Sequence, residues 1–226
     1  MIEYIFLVLF LIDAIIHIFG IVKENQKIIY CTKPLLMILL AAYYTLGTIA
    51  LNTFDWLMLV AILCGCSGDT FLMFKDNDKY FLLGMLSFML GHIFYIISFT
   101  LYIGVDMILF PVLGLLLFLP TLIILYFTFP RFKDKMGDMK IPVMVYMGVI
   151  MTMNLFTIFR LSKIGLFCPC FFLTYLGSVL FILSDSLIAV NIFDDKKVKN
   201  VRIYIMVTYI LGQFLIAQGV LMTGLL

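Results

Sequence analysis

The stretch IEYIFLVLFLIDAIIHIFGIV, residues 2–22, decides the class of this protein. It carries one acidic group at its start, Glu3, and two ionisable groups inside, Asp13 and His17; the rest is apolar, aromatic or glycine. About 20 such residues, rising about 1.5 Å each, cross the roughly 30 Å hydrocarbon core of a bilayer. No basic segment precedes the run, so it reads as a retained first span and not as a cleaved signal. The whole chain has the same character: of its 226 residues 65% are hydrophobic and 12% charged, with a mean hydropathy of +1.19. A water-soluble domain carries about twice that share of charge.

Hydropathy and breaks in charge predict eight spans, near residues 2–22, 33–51, 56–74, 80–102, 107–129, 141–159, 164–193 and 203–225. Lipid forces the backbone to satisfy itself within helices or a closed barrel, and these runs are too long and too uniformly apolar for barrel strands. The expected fold is all-α, a polytopic bundle of eight transmembrane helices forming one domain over residues 1–226. No linker, low-complexity segment or internal repeat interrupts it. The seventh run is longer than a bilayer needs and has Cys168, Pro169 and Cys170 near its start, which predicts an interfacial segment or a kink there.

Lys and Arg resist translocation, so their placement sets the orientation. The odd-numbered connections hold thirteen basic residues, namely Lys23, Lys27, Lys33, Lys75, Lys79, Arg131, Lys133, Lys135, Lys140, Lys196, Lys197, Lys199 and Arg202. The even connections and the termini hold only Arg160 and Lys163. This predicts cytoplasmic odd connections, both termini outside, and a multi-pass place in a bacterial cytoplasmic membrane. The net charge of +2 is too balanced for a nucleic-acid binder. The five cysteines (Cys31, Cys64, Cys66, Cys168 and Cys170) form no CxxC pair and lie in or beside apolar runs, where a thiol packs as a small hydrophobe.

An ionisable group inside a span costs roughly 2.5 to 3.5 kcal/mol on insertion scales, so each one is a functional candidate. Away from the span ends there are Asp13 and His17 on the first helix, Asp69 on the third, His92 on the fourth and Asp185 on the seventh, with no embedded Lys or Arg expected to neutralise them. Their depths agree. Asp69 lies six residues before Lys75, about 9 Å, and Asp185 nine before Asp194, about 14 Å, from the cytoplasmic end. His92 and Gln213 fall near mid-depth, and Lys33 stands at the cytoplasmic end of the second helix. The set suits a cavity open to the cytoplasm.

Helical phase places Tyr175, Ser178 and Asp185 on one side of the seventh helix and Tyr209 with Gln213 on one face of the eighth; Asp13 and His17, four apart, are within reach of each other. Gly84, Ser87, Gly91 and Tyr95 form a small-residue stripe beside His92 that reads as helix packing. The aspartates at 69 and 185 have small neighbours, in CGCSGD and LSDS, that leave room for substrate or water. Two carboxylates in a low-dielectric cavity separate in proton affinity, a division suited to acid catalysis. Two histidines with carboxylates could also hold zinc, but they lie on different helices without HExxH-type spacing. There is no GxSxG elbow and no phosphate-cradling glycine loop.

Five segments, TKPL (32–35), CSGDTFL (66–72), LGMLSFMLGHIFYI (83–96), GSVLFILSDSLIA (177–189) and YILGQFLIA (209–217), closely resemble the YhhN/TMEM86 family, the lysoplasmalogenases. The resemblance runs in order from the second helix to the eighth and is poor in the first. It implies eight spans and hydrolysis of the vinyl ether of lysoplasmenyl-ethanolamine or lysoplasmenyl-choline, giving a fatty aldehyde and the glycerophospho-base. The family's two acidic positions match Asp69 and Asp185. Ser67, Ser184 and Ser186 are then placed to tune them, His92, Tyr95, Tyr175, Tyr209 and Gln213 to line the pocket, and Lys33 to meet the substrate phosphate. The expected partners are a lysophospholipid and membrane lipids; no cofactor and no metal is called for. The competing reading is a lipid or small-solute transporter in which the same aspartates relay charge.

Overall fold

A computed structural model of the chain describes residues 2–53, 55–74, 78–104, 110–196 and 198–225. Lys75 and Lys197, counted above for orientation, and the expected start of the fifth span at 107 lie outside the described residues. Among these residues eight long helices follow one another: α1 Ile2–Val22, α2 Gln26–Ala50, α3 Trp56–Phe71, α4 Asp78–Thr100, α5 Phe110–Phe132, α6 Lys140–Phe159, α7 Pro169–Phe193 and α8 Val201–Thr223. A short 3-10 turn, Gly137–Met139, precedes α6, and one helical turn, Leu161–Ile164, follows it. No strand occurs among the described residues. Among the described residues seven segments are long and apolar enough to cross a membrane, making this an all-α, multi-pass integral membrane protein.

The helix ends depart from the hydropathy boundaries where local chemistry outweighs apolarity. The second helix starts seven residues before its expected span, because the Asn25 side chain accepts the backbone N–H groups of Lys27 and Ile28 at 3.1 and 3.3 Å. Lys33 therefore sits in the third turn of α2 and not at its end. The third helix is the short one, 16 residues or about 24 Å. Asp55 caps its start, accepting from the Leu57 N–H at 2.9 Å and from the Ser98 hydroxyl at 2.5 Å. It stops at Phe71, before the expected residue 74, after CGCSGDT, a run of poor helix formers.

At the seventh helix, residues 165–168 are non-helical, Gly165 has φ of +87°, and Pro169 takes the first helical position, where its missing N–H leaves no gap. Cys168 and Cys170, expected as packing thiols, are joined in a disulfide, since the bend before Pro169 brings their Cα atoms to 5.3 Å. Cys31, Cys64 and Cys66 remain free thiols.

The chain divides into two compact units, residues 1–98 with 220–226, and residues 99–219. In the first unit α1 packs on α2, α2 on α3, and α3 on α4, the last through glycine: a Cβ on Gly91 would stand 3.0 Å from the Ala61 carbonyl oxygen. In the second unit α5, α6 and α7 pack on one another. There α7 and α8 touch backbone to backbone, a Cβ on Gly177 falling 2.8 Å from the Gly212 carbonyl oxygen. Outward faces of α1 and α5 present Ile15 and Tyr126, both more than two-thirds exposed, to the lipid.

Two polar anchors belong to the second unit. Asp194, at the end of α7, binds Arg131 at 2.7 Å and Lys135 at 3.1 Å. The hydrogen bond from Lys135, the Lys196 N–H and Arg131 hold its carboxyl well below the usual carboxylate range. Arg160, read from sequence as a loop charge, is fully buried, its guanidinium 5.2 and 5.3 Å from the ring centres of Phe99 and Tyr102.

Candidate functional site

Each of the two aspartates singled out by sequence is held by a partner from a neighbouring helix of its own unit. In the first unit, Asp69 on α3 is buried and forms an ion pair at 3.1 Å with Lys33 on α2. This corrects the expectation that no embedded cation neutralises the carboxylates. The early start of α2 carries Lys33 into the span, and with its side chain only 15% exposed its charge pairs with Asp69 instead of standing at the mouth.

The first-helix residues lie in the same unit. His17 and Asp13 are both buried, but the hydrogen bond of the His17 ring goes to Thr32 on α2, Nδ1 to Oγ1 at 2.7 Å. The Thr32 hydroxyl spends its one proton on the Ile28 carbonyl, 2.7 Å away. Nδ1 of His17 must therefore carry the hydrogen and donate, which leaves Nε2 as the lone-pair nitrogen of the neutral ring. Oδ2 of Asp13 is buried without a hydrogen-bond partner. The reach of four residues on one helix has not become an Asp13–His17 pair through these atoms. Thr32 itself went unnoticed in the sequence because a threonine one residue before a lysine carries no special pattern.

In the second unit, Asp185 on α7 is half-buried and accepts a short hydrogen bond on Oδ2 from the Tyr146 hydroxyl of α6. A cavity of about 40 Å³ adjoins them, lined by Tyr146, Asp185 and Ser186 among apolar side chains that include Met147, Ile150 and Met151. Tyr146 is one of twelve tyrosines, in the apolar run VMVYMGV, and no charge or spacing drew attention to it.

The other expected site residues divide by where their polar atoms go. Ser67 is exposed and its hydroxyl donates back to the Leu63 carbonyl of its own helix. Ser184 is buried and ties α7 to α8 through the Ile205 carbonyl at 3.0 Å. Tyr175 donates to the Leu117 carbonyl at 2.7 Å, joining α7 to α5. Ser178, phased with Asp185, accepts from Asn154, which in turn accepts from Thr121, a buried three-helix link that sequence reading missed. These hydroxyls serve packing. His92 and Tyr95 of α4 are buried in the first unit. Tyr209 and Gln213 of α8 are buried in the second, Tyr209 edge-on to Phe181 at 5.5 Å. Ser186 alone of the three serines adjoins the cavity. Among the described residues no three His, Cys, Asp or Glu side chains converge as metal ligands.

The profile of the YhhN family matches residues 28–220. The chain belongs to the YhhN family. The match starts after α1, as the sequence resemblance does, and takes in both held aspartates with Lys33 and Tyr146. No curated protein and no solved structure matches the chain. Within this YhhN protein the two carboxylates differ in kind of support: a cation for Asp69, a neutral hydroxyl and a cavity for Asp185.

Proposed function

We propose that this YhhN protein is a lysoplasmalogenase-like ether hydrolase, with Asp69 and Asp185 as its catalytic carboxylates and a lysophospholipid as substrate. The observation that carries the reading is that both aspartates, in segments that resemble the family, are held within apolar helices by a polar partner on a neighbouring helix, Lys33 for Asp69 and Tyr146 for Asp185. Intramembrane carboxylates are costly, and partners that fix their orientation are what acid–base work requires.

In the reaction a carboxylic acid protonates the outer carbon of the vinyl ether, giving an oxocarbenium ion. The oxygen lone pair of a water forms the new bond to its C1, and a carboxylate takes the water's proton. The hemiacetal collapses as its hydroxyl proton returns to the first carboxylate and the departing glycerol oxygen takes a proton from the second. The products are a fatty aldehyde and a free glycerol hydroxyl, and both carboxyl groups regain their starting states. The logic is analogous to that of glycosidases.

His92, Tyr95, Tyr209 and Gln213 are proposed to line the substrate path in their respective units, and Lys33 to reach the substrate phosphate only when its ion pair with Asp69 opens. The excess of basic residues in and beside the odd connections, leaving out the embedded Lys33, supports a cytoplasmic placement of those connections. The Lys33–Asp69 pair would also serve a charge-relay transporter, so product chemistry is the test. Purified protein incubated with lysoplasmenyl-ethanolamine is expected to release free aldehyde together with glycerophosphoethanolamine. Movement of intact lipid across a proteoliposome without aldehyde would contradict the hydrolase reading.

A further inference from the structure

We infer that the cavity beside Asp185 seats the hydrolytic water, that Asp185 is the carboxylate which directs it, and that Tyr146 is the positioning residue that aims Asp185. The inference rests on the hydrolase reading and assigns one of its two carboxylate roles.

Three observations within the second unit carry it. First, the Tyr146 hydroxyl donates to Oδ2 of Asp185, so the carboxyl is already oriented as an acceptor by a rigid side chain of α6. Second, the adjoining cavity of about 40 Å³ exceeds the roughly 10–15 Å³ one water needs, yet is far too small for a lipid head group. Third, the polar side chains on its wall are Asp185, Tyr146 and Ser186. They supply the two to four polar partners that hold a water, and the apolar remainder gives it no competing site. The water's oxygen bonds to C1 of the oxocarbenium ion while its proton passes to Asp185; Tyr146 keeps its own proton throughout.

The experiment uses methanol as a rival nucleophile. Capture of the oxocarbenium ion by methanol yields a methyl acetal that survives, whereas capture by water yields aldehyde. Full-length protein in detergent, with lysoplasmenyl-ethanolamine and a low fixed fraction of methanol, is assayed for both products as wild type, as Tyr146→Phe and as Ala189→Val, which intrudes on the cavity wall. The wild type is expected to give acetal far below the bulk methanol-to-water ratio. In Tyr146→Phe, kcat is expected to fall roughly 10- to 100-fold, less than the roughly 10²–10⁴ that a catalytic base is worth, with KM unchanged and the acetal fraction rising toward the bulk ratio. The Ala189→Val protein is expected to shift the same ratio in the same direction. A folded Tyr146→Phe protein that keeps the wild-type product ratio, or a wild type that already follows the bulk ratio, overturns the inference while leaving the hydrolase reading standing. Absence of both products from the wild type overturns the hydrolase reading and this inference with it.

Discussion

Asp69 and Asp185 sit in different units and are stabilised by different physics. The first is buried against Lys33, a full opposite charge 3.1 Å away. The second is half-buried, takes a hydrogen bond from neutral Tyr146, and keeps a cavity at its side. A buried ion pair is strongly damaged when one partner alone is removed, because the other is left as an uncompensated charge; a hydrogen bond from a neutral hydroxyl to a half-buried carboxylate loses less. The two carboxylates therefore answer differently to the loss of their partners, and that difference can be broken or sharpened by experiment.

The largest effect on folding is expected where the backbones of the second unit meet. Gly177→Leu places side-chain atoms where a Cβ alone would stand 2.8 Å from the Gly212 carbonyl oxygen, and no flexible neighbour can give way. The expected outcome is loss of folded protein, read by size-exclusion chromatography in detergent. A folded Gly177→Leu protein would show that the frame around Asp185 is looser than its contacts imply.

Next in size is Lys33→Met, which strips the cation from Asp69 and is expected to lower stability by about 3–5 kcal/mol. The double variant Lys33→Met with Asp69→Asn removes the stranded charge and is expected to recover most of that loss, a non-additivity that thermal or denaturant unfolding measures directly. The corresponding single change in the second unit, Tyr146→Phe, is expected to cost less, about 1.5–3 kcal/mol. Equal losses from Lys33→Met and Tyr146→Phe would erase the contrast between the two aspartates.

A smaller effect concerns the polar anchor at the end of α7. Because Lys135, the Lys196 N–H and Arg131 hold the Asp194 carboxyl below its ordinary range, the group binds fewer protons folded than unfolded. Its contribution to stability is complete above the unfolded value of about 3.9 and is lost as pH falls through the lower folded value. Unfolding temperatures of wild type and Asp194→Asn are expected to differ at pH 7 and to converge in strong acid. The smallest effect is Ser67→Ala: the hydroxyl is exposed and bonded to its own helix, so stability should stay within about 0.5 kcal/mol of wild type.

Much of the fold was legible because lipid imposes a simple length rule, and the eight apolar runs obey it apart from α3. The ends were less legible where a side chain overrides hydropathy, as Asn25 does by capping α2 and Pro169 by opening α7. The same errors hid part of the candidate site. Taking the second span to begin at Lys33 made that lysine a sentinel at the membrane surface, when the earlier helix start makes it the counter-ion of Asp69. Arg160 was counted as a loop charge because hydropathy cannot foresee that Phe99 and Tyr102 would enclose it. Charged residues announce themselves in an apolar chain, and both aspartates were found that way. Tyr146, Thr32 and Asn154 were missed because neutral polar residues are common in membrane helices, and only the packing of one helix on another reveals which of them has a partner.

The central claim, that Asp69 and Asp185 carry vinyl ether hydrolysis, is tested most directly by aldehyde release from lysoplasmenyl-ethanolamine. The comparison is among the purified wild type, Asp69→Asn and Asp185→Asn, each with and without a chelator. The account predicts release by the wild type that persists in chelator and falls at least about 100-fold in each variant that remains folded. A folded variant at either position that releases aldehyde at the wild-type rate would contradict it.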